Sequence, residues 1–141
     1  MKYTKYHRIP YLEGGSSFQG VDCWGLVRLF YREEFGVNLP DYGVTMNDED
    51  EVVEVVKTHK DTYVQICGPM MVNGSVISTK PPFPSIVLLY HGPAHALSHV
   101  GVYIGNRQMI HVLSGIGSYI QKLDNFYWAR KVEGFYVPGS V

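Results

Sequence analysis

The sequence has little cysteine, little net charge and no long apolar run, and each shortage excludes a class of protein. Its two cysteines cannot form a disulfide framework. A formal net charge of −1 provides no electrostatic attraction for nucleic acid, so no nucleic-acid partner is expected. No apolar run reaches the length of about 18 residues that a membrane-spanning helix needs, so no membrane insertion is expected.

The N-terminal segment MKYTKYHRIPYL also lacks the apolar stretch and the small-residue cleavage site of a secretory signal. We expect the chain to be made and kept in the cytoplasm unless something other than a secretion signal carries it out. Its 141 residues, 45% of them hydrophobic and 18% charged, are typical of one globular domain. We therefore assign residues 1–141 to a single domain.

Local signals predict one clear helix, over residues 23–35. Asp22 has the side chain of an N-cap, apolar residues recur at helical spacing, and Gly36 ends the run. A second helix is predicted over residues 48–59, because its first residues are acidic. A proline cluster then precedes segments of strand-like period, which makes the fold class α+β. The predicted strands are 63–66, 75–78, 86–90, 98–104, 108–113, 119–122 and 134–137.

Cys23 lies at the start of the predicted helix, where a cysteine has two interpretations. A thiol becomes a useful nucleophile as a thiolate, and a helix N-terminus or a neighbouring imidazolium lowers its pKa. Cys23 would have the first of these. The alternative is that Cys23 is a small core residue facing the sheet. Cys67 has no partner signal and is interpreted as a buried thiol.

A predicted hairpin, SHVGVYIGNRQMIHV, carries one histidine in each strand. His99 shares a face with Gly101, and the opposite, apolar face is expected to pack on a core, which leaves the histidine face more accessible. A two-residue turn would place His111 opposite Val100, on the other face. A three-residue loop at 105–107 would place His111 opposite Gly101, as a diagonal neighbour of His99. Cooperation of the two histidines therefore predicts a loop of odd length.

These residues have the chemistry of a cysteine–histidine–polar triad. Cys23 would attack a carbonyl carbon, His99 would move the proton, and His111 would orient His99. The backbone N–H of Cys23 is a candidate donor to the oxyanion. The alternative for His111 is a half-buried histidine with a structural role only.

His91, His95 and His99 follow one another at a spacing of four residues, which suggests a metal site. This spacing aligns ligands only on a helix, and Gly92 and Pro93 argue against a helix there. We therefore expect no metal and no cofactor.

Three blocks, YLEGGSSFQGVDCWGLV, SHVGVYIGN and MIH, resemble in the same order the NlpC-type cell-wall cysteine peptidases, a compact papain-like family. Trp24 after the cysteine, the stretch GLVRLFYREEFGVNLPDYG, and the ending with Trp128, Arg130 and GFY resemble the branch found in bacteriophage tail proteins. The resemblance implies a papain-like NlpC-type fold, in which an N-terminal helix that carries the cysteine packs on an antiparallel β-sheet.

The resemblance also implies roles for individual residues. Cys23 matches the nucleophile, His99 the general base and His111 the third polar residue. Tyr11 matches a tyrosine that supports the oxyanion. With these matches, the implied enzyme is a cysteine peptidase with a Cys-His-His triad.

Two neighbours of the cysteine each keep two interpretations. Asp22 matches an acidic residue that holds the free amine of a stem peptide, and it could equally be only the N-cap. Trp24 would line the substrate groove or, as we favour, simply pack. Pro84-Ser85 replaces the family's usual Gly-Asp before a strand, which is expected to alter a turn, and the longer segment YHGPAHALSH could act as a lid or a docking loop.

The implied function is hydrolysis of peptidoglycan stem peptides, usually after γ-D-glutamate. A phage tail would carry the protein and use it to open the cell wall during genome delivery. The expected location is then the virion tail, and the expected partners are other tail proteins. Two alternatives stay open: a structural tail-tip or tail-assembly component with vestigial activity, and an antibacterial effector delivered into rival cells.

Overall fold

In the computed structural model, which describes residues 3–41, 63–76, 80–91 and 96–138, helix α1 occupies Cys23–Phe35, as predicted. The Asp22 side chain caps it by accepting a hydrogen bond of 2.7 Å from the Gly25 backbone N–H. Gly36 ends it in the left-handed conformation, with φ of 64°, and donates its N–H to the Arg32 carbonyl. The capping signals in the sequence therefore set both ends of this helix.

The other elements are strands, short turns and one further short helix. A 3-10 turn covers Thr4–Tyr6, and helix α2 covers Phe126–Ala129, with Asn125 as its N-cap. The strands are β1 (Ser16–Ser17), β2 (Gly20–Val21), β3 (Tyr63–Cys67), β4 (Met71–Val72), β5 (Ser75–Val76), β6 (Ser85–His91), β7 (Ala96–Gly105), β8 (Gln108–Leu113), β9 (Gly117–Lys122) and β10 (Val132–Pro138).

A six-stranded antiparallel sheet forms the centre of the molecule, in the order β3-β10-β6-β7-β8-β9. The last strand, β10, is inserted between β3 and β6, whereas β6 to β9 follow one another as a meander. Helix α1 packs against β7 and β8. The predicted α+β architecture, with the cysteine-bearing helix on an antiparallel sheet, is confirmed.

The sheet is covered on both faces. One face of β7 and β8 contributes Val100, Val102 and Ile110 to the cluster that includes α1. The opposite face belongs to a second cluster, which includes Met109 and Trp128. The expectation that the histidine face would be the more accessible one is therefore wrong, because α2 and the start of β10 fold over it.

The register of the β7–β8 hairpin is set by a β-bulge and not by a loop with an odd number of residues. Asn106 and Arg107, both with positive φ (52° and 58°), form a two-residue turn between Gly105 and Gln108. The pairing shifts by one residue at Ile104, between the Tyr103 and Gly105 pairs. The three-residue loop is thus wrong, but the face expected for His111 is correct.

Most predicted strands are present, several with different bounds. Residues 108–113 match, whereas β7 and β10 each extend beyond the predicted segments, and the segment at 75–78 is described as a strand only at Ser75–Val76. The predicted helix at 48–59 lies outside the described residues. Within the described ranges, no helix is both long and apolar enough to cross a membrane.

Candidate active site

A cavity of about 210 Å³ opens at the end of the sheet where β6 ends, β7 begins and β8 ends. Cys23, the first residue of α1, lines it together with His99 from β7. The antiparallel order brings these strand ends together, and α1 starts beside them. The complete lining is Tyr11, Cys23, His91, Ser98, His99, Val112, Leu113 and Ser114.

Behind this cavity, His99 and His111 are hydrogen bonded to each other. Nε2 of His99 lies 2.9 Å from Nδ1 of His111, and the two ring planes are inclined by 69°. His99 is 5% exposed and His111 is completely buried. His111 does not line the cavity, so it can reach a bound molecule only through His99.

Both histidines are held in the neutral form. Burial lowers the pKa of His99 well below its usual value, and His111, His91 and Lys131 lower it further. Burial, together with His91, lowers the pKa of His111 to about 3. At neutral pH the pair therefore holds two ring protons, one on each imidazole.

Cys23 is 6% exposed, and its burial raises the pKa of the thiol to about 12. A hydrogen bond from the backbone N–H of Val100 lowers the pKa of this thiol, whereas the Asp22 carboxylate raises it further. The backbone N–H groups of Cys23 and Trp24 at the helix N-terminus lower this pKa as expected, but desolvation is the larger effect and the net shift is upward. Cys23 is consequently a neutral thiol beside a neutral imidazole pair.

Tyr11 lies next to Cys23 in the cavity wall. An isolated parallel bridge pairs Tyr11 with Val21, two residues before the cysteine. Tyr11 is half-buried, and the pKa of its hydroxyl is raised by burial first and then by Cys23 and Asp22. The phenol is thus protonated at neutral pH and can donate a hydrogen bond into the cavity.

Asp22 does not line this cavity. Its side chain is buried and accepts hydrogen bonds from the backbone N–H groups of Gly25 (2.7 Å) and Gly14 (2.8 Å). Burial raises its pKa, and the two N–H donors oppose that rise. The structure supports the N-cap role, with a second bond that ties the preceding loop to the helix, while amine binding stays a prediction.

Trp24 packs and does not line the cavity. It is 2% exposed, its indole Nε1 donates to the Pro40 carbonyl at 2.9 Å, and its ring meets Tyr63 edge-on at 6.0 Å. Of the two interpretations given to Trp24, packing is the one that the structure supports.

His91 is a cavity residue that the sequence assigned only to a loop or a metal site. It ends β6, and its ring centroid lies 5.1 Å from that of His99. The sequence signal that could have assigned His91 to the cavity is its position at the end of the strand that pairs with the strand of His99. His95, the middle residue of the metal alternative, lies outside the described residues. Among those described, no group of three or more His, Cys, Asp or Glu is arranged to hold a metal.

Trp128 and Lys131 lie on the far side of the histidine pair, and no sequence signal assigned either residue to the site. The Trp128 ring lies 4.8 Å from the His111 ring at an angle of 80°. Nζ of Lys131, a buried lysine, lies 5.8 Å from the Trp128 ring centroid and 4.8 Å from that of Tyr127. The third polar residue therefore has an aromatic ring and a cation behind it.

Comparison with protein-family models identifies the family of this chain. A sequence model described as the NlpC/P60 family matches residues 8–137. The chain belongs to the NlpC/P60 family. The family resemblance seen in the sequence motifs is thereby confirmed, while the assignment to a tail-associated branch stays a prediction.

The chain is similar to two Escherichia coli K12 proteins whose names describe them as endopeptidases. The chain is 29% identical over 130 residues to the Escherichia coli K12 murein DD-endopeptidase MepS/murein LD-carboxypeptidase, covering 92% of this chain and 56% of that protein. It is 28% identical over 125 residues to the probable endopeptidase NlpC of the same strain, covering 89% and 66%. The chain thus spans a little over half the length of the first of these relatives and about two thirds of the second.

Solved NlpC/P60 structures share the fold. A lipoprotein-like NLP/P60 protein from Staphylococcus aureus superposes with a TM-score of 0.58 at 20% identity, covering 98% of this chain and 39% of that one. The NlpC/p60 domain of the peptidoglycan hydrolase SagA superposes with a TM-score of 0.53 at 22% identity, covering 94% and 89%. These likenesses confirm the NlpC-type fold.

Proposed function

We propose that this chain is a cysteine peptidase that hydrolyses amide bonds in peptidoglycan stem peptides. The observation that carries the proposal is the hydrogen-bonded pair His99–His111, whose first member lines the same cavity as the thiol of Cys23. Family membership and relatives that are named murein endopeptidases support peptidoglycan as the substrate.

Cys23 acts as the nucleophile in this proposal. Because His99 uses Nε2 toward His111, its Nδ1 is the nitrogen left to accept the thiol proton. The sulfur attacks the amide carbonyl carbon while the proton moves to His99. The elevated pKa of Cys23 and the lowered pKa of His99 disfavour a resting thiolate–imidazolium pair, so proton transfer accompanies bond formation.

The tetrahedral intermediate then collapses to a thioester on Cys23 and a free amine. Its oxyanion receives hydrogen bonds from the Cys23 backbone N–H at the start of α1 and from the Tyr11 hydroxyl. The His99 imidazolium returns its proton to the leaving amine, and a thioester on Cys23 remains. His99 next deprotonates a water molecule that attacks the thioester, which releases the acid and restores the thiol.

Purified peptidoglycan provides the test, with released stem-peptide fragments identified by mass spectrometry. We expect Cys23→Ala to lower the rate by at least about a thousandfold, because it removes the nucleophile. Cys67→Ala, which removes the other thiol, should keep the wild-type rate. Cleavage that survives Cys23→Ala would exclude this nucleophile, and a wild-type protein that releases no fragments would exclude the enzyme.

We further propose that a phage tail carries the chain to the cell wall, where it opens the wall during genome delivery. The support is the resemblance of Trp24 and its following sequence to tail-associated proteins. Trp24 is a core residue that anchors the segment after α1 through the Pro40 carbonyl. In this branch, Trp24 and the residues that follow it would therefore contribute to packing of the protein core and not to substrate binding.

Purified particles test the tail proposal. We expect mass spectrometry to find the chain in the tail, and Cys23→Ala particles to assemble normally but deliver DNA poorly through an intact wall. Particles without the chain would contradict the tail assignment. Normal delivery by Cys23→Ala particles would favour the structural tail component.

A further inference from the structure

The buried side of His111 holds a nitrogen that the proposed triad leaves without a hydrogen-bonding atom. Nδ1 of His111 faces His99, whereas Nε2 is buried and has no hydrogen-bond partner among the described residues. A buried polar nitrogen in that position costs free energy unless another group satisfies it. The group that contacts Nε2 of His111 therefore influences which ring nitrogens of the two histidines carry protons.

The roles proposed for the triad fix where the protons must be. If Nδ1 of His99 accepts the thiol proton, neutral His99 carries its own proton on Nε2 and donates it to Nδ1 of His111. Nδ1 of His111 is then an acceptor, so the His111 proton must be on Nε2. The opposite tautomer of His111 would donate toward His99 and leave His99 with its proton on Nδ1, where it cannot act as a base.

Two aromatic rings surround His111. Tyr119, its cross-strand partner, lies 4.6 Å away at 57°, and Trp128 lies 4.8 Å away at 80°. The nearly perpendicular arrangement is the one in which an N–H at a ring edge meets the face of another ring. An indole has the most electron-rich face of the aromatic side chains, and Nζ of Lys131 near the Trp128 ring marks it as a site that attracts positive charge.

We infer that the Trp128 ring accepts the Nε2–H of His111 and so holds His111 in the tautomer that keeps His99 competent as a base. Trp128 is thus a positioning residue that acts through His111 and His99. The inference rests on the proposed function, since the proton placement starts from His99 as the base. Lys131, which adds a positive charge near the pair, also opposes a second proton on it.

Nitrogen-15 NMR of the histidine rings at neutral pH tests this directly, without any substrate. We expect the His111 signals of the wild-type protein to show the Nε2–H tautomer, with the Nε2 proton shifted upfield by the indole ring current. A wild-type protein whose His111 carries its proton on Nδ1 would overturn the inference, even if that protein hydrolysed peptidoglycan. The readout therefore separates failure of the inference from failure of the proposed function.

Substitutions then assign the acceptor. Trp128→Leu should shift the His111 tautomer population toward Nδ1–H and lower kcat by about tenfold or more with little change in KM, because the loss is in proton transfer. Trp128→Phe keeps an aromatic face and should restore most of both properties. Tyr119→Leu removes the other neighbouring ring and should leave the tautomer unchanged. A tautomer shift in Tyr119→Leu but not in Trp128→Leu would overturn the assignment to Trp128.

Discussion

A Cβ atom placed on Gly101 would lie 3.3 Å from Cβ of His111, across the β7–β8 pair. The same atom would lie 3.0 Å from the Ile110 carbonyl oxygen and 3.1 Å from Sδ of Met109. Gly101 separates His99 from His111 on the face that they share, and its missing side chain leaves the room in which the two imidazoles meet. The glycine is therefore a part of the site although it carries no functional group.

Gly101→Ala is expected to destabilise the protein by about 1–3 kcal/mol, because the methyl group crowds a backbone oxygen that cannot move away. It should also weaken the His99–His111 contact and lower activity. Thermal unfolding and fragment release measure the two effects. Gly68→Ala is the matched control, since a Cβ at Gly68 would meet nothing within 4 Å. Equal melting temperatures for the two variants would contradict the prediction.

Alkylation should show that Cys23 is a protonated thiol at rest. Because burial raises its pKa to about 12, the fraction of thiolate rises about tenfold for each pH unit across the neutral and alkaline range. We expect the rate of modification by iodoacetamide in a Cys67→Ser background to rise continuously from pH 6 to about pH 10. A rate plateau that begins on the acidic side would instead reveal a preformed thiolate.

The buried histidines should make the protein sensitive to acid. His111 has a pKa of about 3 in the folded chain, whereas an unfolded histidine titrates near 6.5. Between these values the unfolded chain binds a proton that the folded chain does not, so stability falls as pH falls. From pH 7 to pH 5 the expected loss from His111 is about 2 kcal/mol.

Denaturant unfolding at several pH values checks this sign. His111→Gln should have a shallower dependence on pH than the wild type. For His7→Gln, which replaces an exposed histidine, the free energy of unfolding should vary with pH as it does in the wild type. Parallel curves for all three proteins would show that His111 does not stay neutral on folding.

The two roles considered for Asp22 predict different outcomes. Asp22→Ala removes the acceptor for the Gly25 and Gly14 N–H groups and should cost about 1–3 kcal/mol of stability. Asp22→Asn keeps the cap acceptor but cannot accept from both groups, so an intermediate loss is expected. Asp41→Asn makes the same charge change at an exposed residue nearby and should stay within about 0.5 kcal/mol. Unchanged stability of Asp22→Asn with a large rise in KM would instead assign Asp22 to the substrate amine.

Local signals in the sequence were sufficient for the parts of the fold that depend on neighbouring residues. Asp22 and Gly36 mark both ends of α1, because an N-cap acceptor and a left-handed C-cap act within one helical turn. The alternation of β7 and β8 likewise predicted that His99 and His111 could share a face. The triad candidates follow from these two local patterns and the family motifs.

The remaining features depend on contacts between distant segments. The insertion of β10 between β3 and β6 and the cover that Trp128 forms over His111 bring together residues far apart in the chain. Burial of Cys23 depends on packing against residues far along the chain, such as Val100, and this desolvation outweighs the lowering of its pKa by the helix N-terminus. The bulge at Ile104 escaped prediction because turn residues identify the turn but not a shift of pairing in the strand before it.

The bulge also determines which changes of chain length this hairpin tolerates. His99 and His111 are twelve positions apart, and the shift at Ile104 converts a two-residue turn into the pairing that places both on one face. Adding or deleting one residue between them would turn His111 to the opposite face, whereas a two-residue insertion would keep it in place. Related chains that retain the pair should therefore differ in the residues of this turn. Their turns should differ in length only by an even number of residues, so that the two histidines always stay on one face of the sheet.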